Sequence, residues 1–231
     1  MKISRVVFTL ICFVSMLGSI SGIVFARPTE LFHEAGQLAL AGYVSQINLA
    51  VKNEAATVLP VGYTVKYSLN TAELIATGAL QSDCDDLRIT YKNEAEIELD
   101  RLIERCNTTL TQVLFKTQSP IAVNEVDSQY WLYSNNSIAS APPANPMNVY
   151  AFYDDFQDGV ADGWSTGDGV WNVVGVSGNY FYRYTGEGTN WPISYVTLAG
   201  ASDLEIVSQM RAATNTNWIG LAFRIQDPAN F

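Results

Sequence analysis

After residue 42 the chain alternates apolar and polar side chains with a period of two. Tyr43, Ser45, Ile47, Leu49 and Val51 fall on one face of an extended segment, and Val44, Gln46, Asn48 and Ala50 on the other. Tyr63, Val65, Tyr67 and Leu69 alternate in the same way with Thr64, Lys66 and Ser68. A pleated backbone sends successive side chains to opposite sides, so these segments predict strands with one buried and one solvated face. Thr111 to Thr117 and Gln129 to Tyr133 predict further strands. One segment departs from the pattern. Asn70-Thr71-Ala72-Glu73 reads as a capping box, Leu74 and Ile75 supply an apolar face, and Gly78 can close the end, which predicts one short helix.

Ser134 to Asn148 holds three prolines and almost no charge. Proline denies a donor to any ladder, so this stretch reads as a linker or an extended crossing segment, with a domain boundary near residue 140. Beyond it, turn signals and short strands repeat closely: Tyr150 to Phe156, Trp171 to Val176, Asn179 to Tyr184, Ile193 to Leu198, Asp203 to Arg211 and Trp218 to Gln226. Ser177-Gly178 is the expected hairpin turn between the second and third of these. The fold expected is all-β, two sandwich or jelly-roll-like modules in tandem. The stretch after Met147 is short for two packed sheets, so the second module is expected to be the first part of a larger one. A small complete sandwich is the alternative.

The first residues point to export. Lys2 and Arg5 precede an uncharged apolar run from Val6 to Phe25, and Val24-Phe25-Ala26 ends it with an A-x-A-like cleavage site. That run is also long enough to span a bilayer, so an uncleaved anchor competes with a cleaved signal over residues 1–26. Either way the remainder lies outside the cell, secreted or at the surface, and meets the membrane only through this segment. The formal net charge is −10, and residues 1–26 carry two basic groups and no acid, so the exported part is more acidic still. Nucleic acid and anionic membranes need clustered basic groups and are excluded as partners by that balance. Beyond Cys12 only Cys84 and Cys106 remain. In an exported chain a pair reads as a disulfide. Asp86 to Tyr91 and Glu96 to Ile103 predict a hairpin that brings the two together, and the bridge is worth about 3 kcal/mol on loop entropy.

Two stretches resemble known families. Ile47 to Asn53, Tyr63 to Asn70, Asp86-Leu87-Arg88 and Tyr130-Trp131-Leu132-Tyr133-Ser134-Asn135-Asn136 carry the first. By these residues the segment from Tyr43 to Tyr133 resembles a prokaryotic domain of unknown function found near the N-termini of large secreted and surface proteins. The second is carried by Asp154-Asp155-Phe156-Gln157-Asp158-Gly159, Gly163-Trp164, Val170-Trp171-Asn172-Val173 and Gly220 to Asp227. From Phe152 onward the chain is similar to the start of a concanavalin A-like lectin/glucanase domain, a group that includes laminin-G-like modules. The resemblance implies a surface binding or adhesion protein directed at carbohydrate, and supplies no catalytic mechanism. The organisation expected is residues 1–26 as signal or anchor, 27–137 as the first module, 138–148 as linker and 149–231 as the lectin-like module.

The candidates for chemistry are few. His33 is the single histidine and precedes the first strand, which does not suit a Ser–His–Asp arrangement. Glu94, Glu96, Glu98 and Asp100 share one face of a strand, at a spacing that approaches a glycosidase pair, but a solvated face paired with Arg88 and Lys92 explains them better. Asp154, Asp155 and Asp158, with Asp227, could hold calcium, the one candidate cofactor, though Asp/Gly clusters more often make turns. For a sugar ring the candidates are Trp191, in a loop beside Pro192, then Trp164 and Tyr182, with aromatic core as the competing role. Asn107 and Asn135 head potential glycosylation sequons. The function expected is an exported, carbohydrate-directed binding or adhesion protein. The rivals are the N-terminal part of a secreted glycoside hydrolase and a structural stalk or envelope protein.

Overall fold

The computed structural model describes residues 11–14, 40–186, 192–198, 204–211 and 220. The chain divides into two units, Val14–Ala151 and Phe152–Phe231 with Met1–Phe13. The described strands begin with β1 (Ile11–Val14). The rest of the expected signal segment lies outside the described residues, and among those described no helix is long and apolar enough to cross a membrane.

In the first unit the alternating segments form β2 (Ser45–Lys52), β3 (Thr64–Leu69), β4 (Arg88–Lys92), β5 (Glu96–Glu98), β6 (Leu102–Glu104), β7 (Thr111–Lys116) and β8 (Val126–Ser134). They make two antiparallel sheets, ordered β2-β8-β4-β5 and β3-β7-β6. Leu49, Ile89, Tyr130 and Leu132 of the larger sheet and Val65, Val113 and Phe115 of the smaller sheet join one buried cluster. Period two therefore does what the sequence expects for these residues, while Ile47 and Ile97, at alternate positions of the same sheet, remain exposed. The expected helix is α1 (Thr71–Ala76), and Asn70 caps it, its Oδ1 accepting the Glu73 amide at 3.2 Å while its Nδ2 donates to Glu73 Oε2 at 3.0 Å.

Cys84 and Cys106 are joined by a disulfide, with Cys84 fully buried in the core. The expected strand from Glu96 to Ile103 is a correction: it breaks at Leu99–Arg101, leaving β5 in one sheet and β6 in the other. The break has a physical cause. Leu99 still donates its amide to Ile89 O at 2.9 Å, and then the Arg101 side chain turns inward. Its Nε donates to Leu87 O at 2.9 Å and its Nη2 to Cys84 O at 2.7 Å. Burial, with Arg88 nearby, lowers the Arg101 pKa to about 10.

The proline-rich stretch runs along the first unit as an extended crossing segment, the second of the two readings it allows. Gln81 donates to Asn136 O and Ala139 O, Arg88 to Ser140 O, and the Arg101 amide to Pro143 O. Asp100 accepts the Asn145 amide at 2.7 Å and Asn148 Nδ2 at 2.9 Å, and Thr64 Oγ1 donates to Val149 O at 2.6 Å. The boundary accordingly falls after Ala151 rather than after residue 148.

In the second unit the strands are β9 (Trp164–Asp168), β10 (Trp171–Val176), β11 (Asn179–Tyr184), β12 (Ile193–Val196) and β13 (Leu204–Val207). They pair as β10-β11, β12-β9 and β1-β13. The expected Ser177-Gly178 hairpin is present, with φ of 52° and 79°. Positive φ at both central residues suits the right-handed strand twist. Gly169 is required in another way: a Cβ there would sit 2.7 Å from Tyr184 Cε2. The expected strand Tyr150 to Phe156 does not form, because Asp154 and Asp155 bond the backbone locally, as described below. Trp218 to Gln226 lies outside the described residues.

Replacing Cys84 and Cys106 together by Ser is expected to lower stability by about 3 kcal/mol, the loop-entropy value for this separation. Urea unfolding of the double variant against the native protein measures it, and equal midpoints with equal slopes would refute the role given to the bridge.

Candidate functional site

The aspartates expected to hold calcium each close a turn of their own. Asp154 Oδ1 accepts the Phe156 amide at 2.7 Å and Oδ2 accepts Trp164 Nε1 at 2.9 Å. Asp155 Oδ1 accepts the Gln157 amide at 3.1 Å and Oδ2 the Tyr153 hydroxyl at 3.2 Å. Asp158 Oδ1 accepts the Val160 amide at 3.1 Å. These are the turn bonds that Asp makes in Asp/Gly clusters. Among the described residues no three acidic, histidine or cysteine side chains converge as a metal would require. Asp227 lies outside the described residues. Burial raises the Asp154 pKa to about 6, outweighing the two hydrogen bonds that favour its charge, and Asp158 and Asp155 push it further up.

The aromatic candidates divide. Tyr182 is buried, stacked on Phe156 at 5.2 Å and 19° and on Trp171 at 5.4 Å and 29°. Trp164 packs on Tyr182 at 5.2 Å, on Phe156 at 5.7 Å and on Phe152 at 5.8 Å. Tyr182 thus belongs to the aromatic core, while Trp164 is half-buried against it. Alternation put Tyr180, Tyr182 and Tyr184 on one face, but only Tyr180 is largely exposed. Trp191, the leading sugar candidate, lies outside the described residues. Asn107 is exposed and Asn135 half-buried, with φ of 62° and 65°.

The acidic run of the first unit is more tightly held than a solvated face. Glu96 Oε1 accepts from Thr90 Oγ1 at 2.6 Å and from the Tyr133 hydroxyl at 2.7 Å, and Lys92 Nζ lies 3.5 Å from Oε2. Glu98 pairs with Arg88 at 2.7 Å. Burial, then the Glu96 bond, holds the Tyr133 phenol well above its ordinary range. Glu98 is ion-paired and Glu96 is bonded through Oε1, while Glu96 Oε2 is buried with Lys92 as its ion-pair partner and accepts no hydrogen bond.

Two surfaces of the first unit remain. A polar hollow of about 300 Å³ lies beside Gly78, Leu80, Gln81, Ser82, Asp83, Asp86, Asn135 and Ser137. Its polar groups already serve the loops: Asp86 accepts the amides of Gln81, Asn135 and Asn136, and Asp83 accepts the Asp85 amide. The other is the outer face of the larger sheet. There Trp131 stands directly opposite Asn48 on β2 and Thr90 on β4, and Thr90 stands opposite Glu98 on β5. The sequence reading used Trp131 only as part of a closing motif. The signal that could have singled it out is its alternation with Tyr130 and Leu132, which belong to the core.

No protein-family profile matches the chain, and neither the curated proteins nor the solved structures searched contain a match to it.

The raised pKa of Asp154 has a definite consequence for pH. The folded chain holds that proton more tightly than the unfolded chain does, so the native state takes up the proton first as pH falls. Stability of the second unit should therefore decline as pH rises from about 4 to about 6 and level off above, through this group. Carboxyl-resolved NMR titration should place the Asp154 midpoint near 6, and a midpoint at the ordinary Asp value would contradict the burial assigned to it.

Proposed function

We propose that this chain is an exported surface protein whose work is binding or adhesion, with carbohydrate as its ligand class. The observation that carries the reading is the Cys84–Cys106 disulfide, with one of its cysteines inside the core of the first unit. A bridge in that position belongs to a protein that matures in an oxidising compartment. The basic start and apolar run of residues 1–26 support the same destination.

The binding reading draws on the resemblance of the second unit to a concanavalin A-like domain, arranged as two packed sheets in the complete module. It also draws on the bonding of the acids. Glu96, Glu98, Asp154 and Asp155 hold their own neighbourhoods together, which is what a scaffold asks of them. The first unit, stapled and closed by its crossing segment, suits a rigid display module, and the acidic surface favours solubility and disfavours polyanions.

Expression in a secreting host tests the export half. Mass spectrometry of the released protein should give Arg27 as the first residue, and retention with an intact Met1 would replace the signal by an anchor. A glycan array probed with and without a calcium chelator tests the other half: binding to at least one glycan is expected, and a blank array would remove carbohydrate from the reading.

A further inference from the structure

We infer that Asn107 is the residue at which this chain accepts an N-linked glycan on export through a glycosylating compartment, and that Asn135 is not. The inference rests on the export half of the reading above and is independent of the carbohydrate half. The sequence offers both residues on equal terms, as Asn107-Thr108-Thr109 and Asn135-Asn136-Ser137, and the fold separates them.

The connection between β6 and β7 ties the first triplet down from the inside. The Asn107 and Thr108 amides donate to the hydroxyl of fully buried Thr71 at 2.9 and 3.3 Å, and Thr108 O accepts the Ala72 amide at 3.2 Å. The Thr108 hydroxyl donates to Arg105 O at 3.0 Å. Thr111, also fully buried, donates to the same carbonyl at 2.7 Å. The middle residue of the triplet thus spends its hydroxyl inward. The outer two do not. Asn107 and Thr109 are both exposed, and among the described residues no group bonds the side-chain amide of the one or the hydroxyl of the other. Asn107 sits at a φ of 62°, a left-handed turn conformation that Asn tolerates better than most residues.

Those two free groups are what the transfer uses. The Asn107 side-chain nitrogen bonds to the anomeric carbon of a sugar carried on a lipid pyrophosphate. The bond from that carbon to the pyrophosphate oxygen breaks, and the lipid pyrophosphate leaves with the electron pair. The amide gives up one proton to a base of the transferring enzyme. The hydroxyl two residues on completes the acceptor triplet, and β-branched Thr109 holds it more stiffly than Ser137 does in the other triplet. A glycan is bulky and must stay in solvent once the chain folds. The surface beside Asn107 is open: Leu110, next in the same loop, is 68% exposed.

Asn135 is built into the fold instead. Its amide donates to buried Asp86 at 3.0 Å, and its carbonyl accepts the Val44 amide at 3.3 Å. The Asn136 amide donates to the same carboxylate at 3.1 Å, and Asn136 O accepts Gln81 Nε2 at 2.7 Å. Asn135 is half-buried and, with Ser137, lines the polar hollow beside Gln81, Ser82 and Asp83. A glycan on Asn135 would begin against the wall of that hollow rather than in open solvent.

Secretion of the full chain from a host that N-glycosylates tests the assignment, and a parallel form carries a host signal in place of residues 1–26. The released protein should carry one glycan, which peptide N-glycosidase removes with conversion of Asn107 to an aspartate in the peptide map. Asn107→Asp keeps the size of the side chain and its tolerance of positive φ, and should be released without the glycan. Thr109→Ala should lose it too, and Thr109→Ser should retain it in part. Asn135→Asp should retain it in full. Protection of both cysteines from thiol reagent shows whether a variant is folded, and if Asn107→Asp is not, Thr109→Ala carries the test. Released protein without a glycan, or a glycan that survives Asn107→Asp or Thr109→Ala, overturns the assignment and leaves the export reading standing. A native chain held inside the cell, with the host-signal form released and glycosylated at Asn107, supports the assignment and overturns the export reading alone.

Discussion

The first unit depends on the burial of Tyr130 between its two sheets. Its ring lies 4.9 Å from Tyr91 on the neighbouring strand and 5.3 Å from Phe115 on the opposing sheet. Its hydroxyl accepts the Gln118 amide at 2.9 Å, so the polar end of a wholly buried side chain is satisfied. Burial is also what holds the Tyr130 phenol well above its usual range. Each aromatic of this size removes a large apolar area from water, and packing at such density tolerates little rearrangement. Once Tyr130 is inside, the pleat puts Leu132 inside and Trp131 outside, and register carries that choice to β2 and β4. The disulfide and the Arg101 corner then close the ends of a structure whose faces are already determined.

The second unit relies on rings more heavily still. Phe156, fully buried at a φ of 60°, stacks on Tyr182, which stacks on Trp171. The turn that places Phe156 there is held by Asp154, whose other oxygen accepts the Trp164 indole. One carboxylate thus ties a turn to the aromatic core, at the cost of burying part of its charge. The loop from Asp154 to Gly159 is in this sense a packing device, and its acidic composition follows from the backbone amides it must satisfy.

The strands and the helix were legible because local signals and burial agree there. Alternation in Tyr63 to Leu69, the Asn70 cap and the Ser177-Gly178 turn each rest on interactions a few residues long. The disulfide was legible from compartment and hairpin together. Other features were not, for identifiable reasons. Glu96 to Ile103 keeps its period of two through the corner, and only the carbonyls of Leu87 and Cys84, waiting for Arg101, reveal the break. Tyr150 to Phe156 has strand composition, yet the Asp154 and Asp155 side chains compete with any ladder for the backbone. The three prolines after residue 140 signal an absence of ladder bonds, and they do not say whether the segment floats or is pinned by partners such as Asp100. Tyr182 and Tyr180 look alike in sequence, and ring stacking alone separates the buried one from the exposed one.

Trp131 shows why a face can be harder to read than a strand. Tyr130-Trp131-Leu132-Tyr133 is a run of four large side chains in which hydrophobicity does not distinguish the two faces. Cross-strand partners do. Asn48, Thr90 and Glu98 lie on the Trp131 side, and apolar Leu49, Ile89 and Tyr91 on the Tyr130 and Leu132 side. Those partners come from residues some thirty to eighty positions away, and no local window contains them. Tyr133, on the same outer face, is sealed by Glu96 and by the Tyr43 ring at 6.0 Å. Tyr133 spends its hydroxyl on Glu96, as half-buried Trp164 and Trp171 spend their indole N–H on Asp154 and Asp168. On that face Glu96 Oε2 is also buried without a hydrogen bond, so what satisfies each polar group there is decided by cross-strand register and by no local pattern in the sequence.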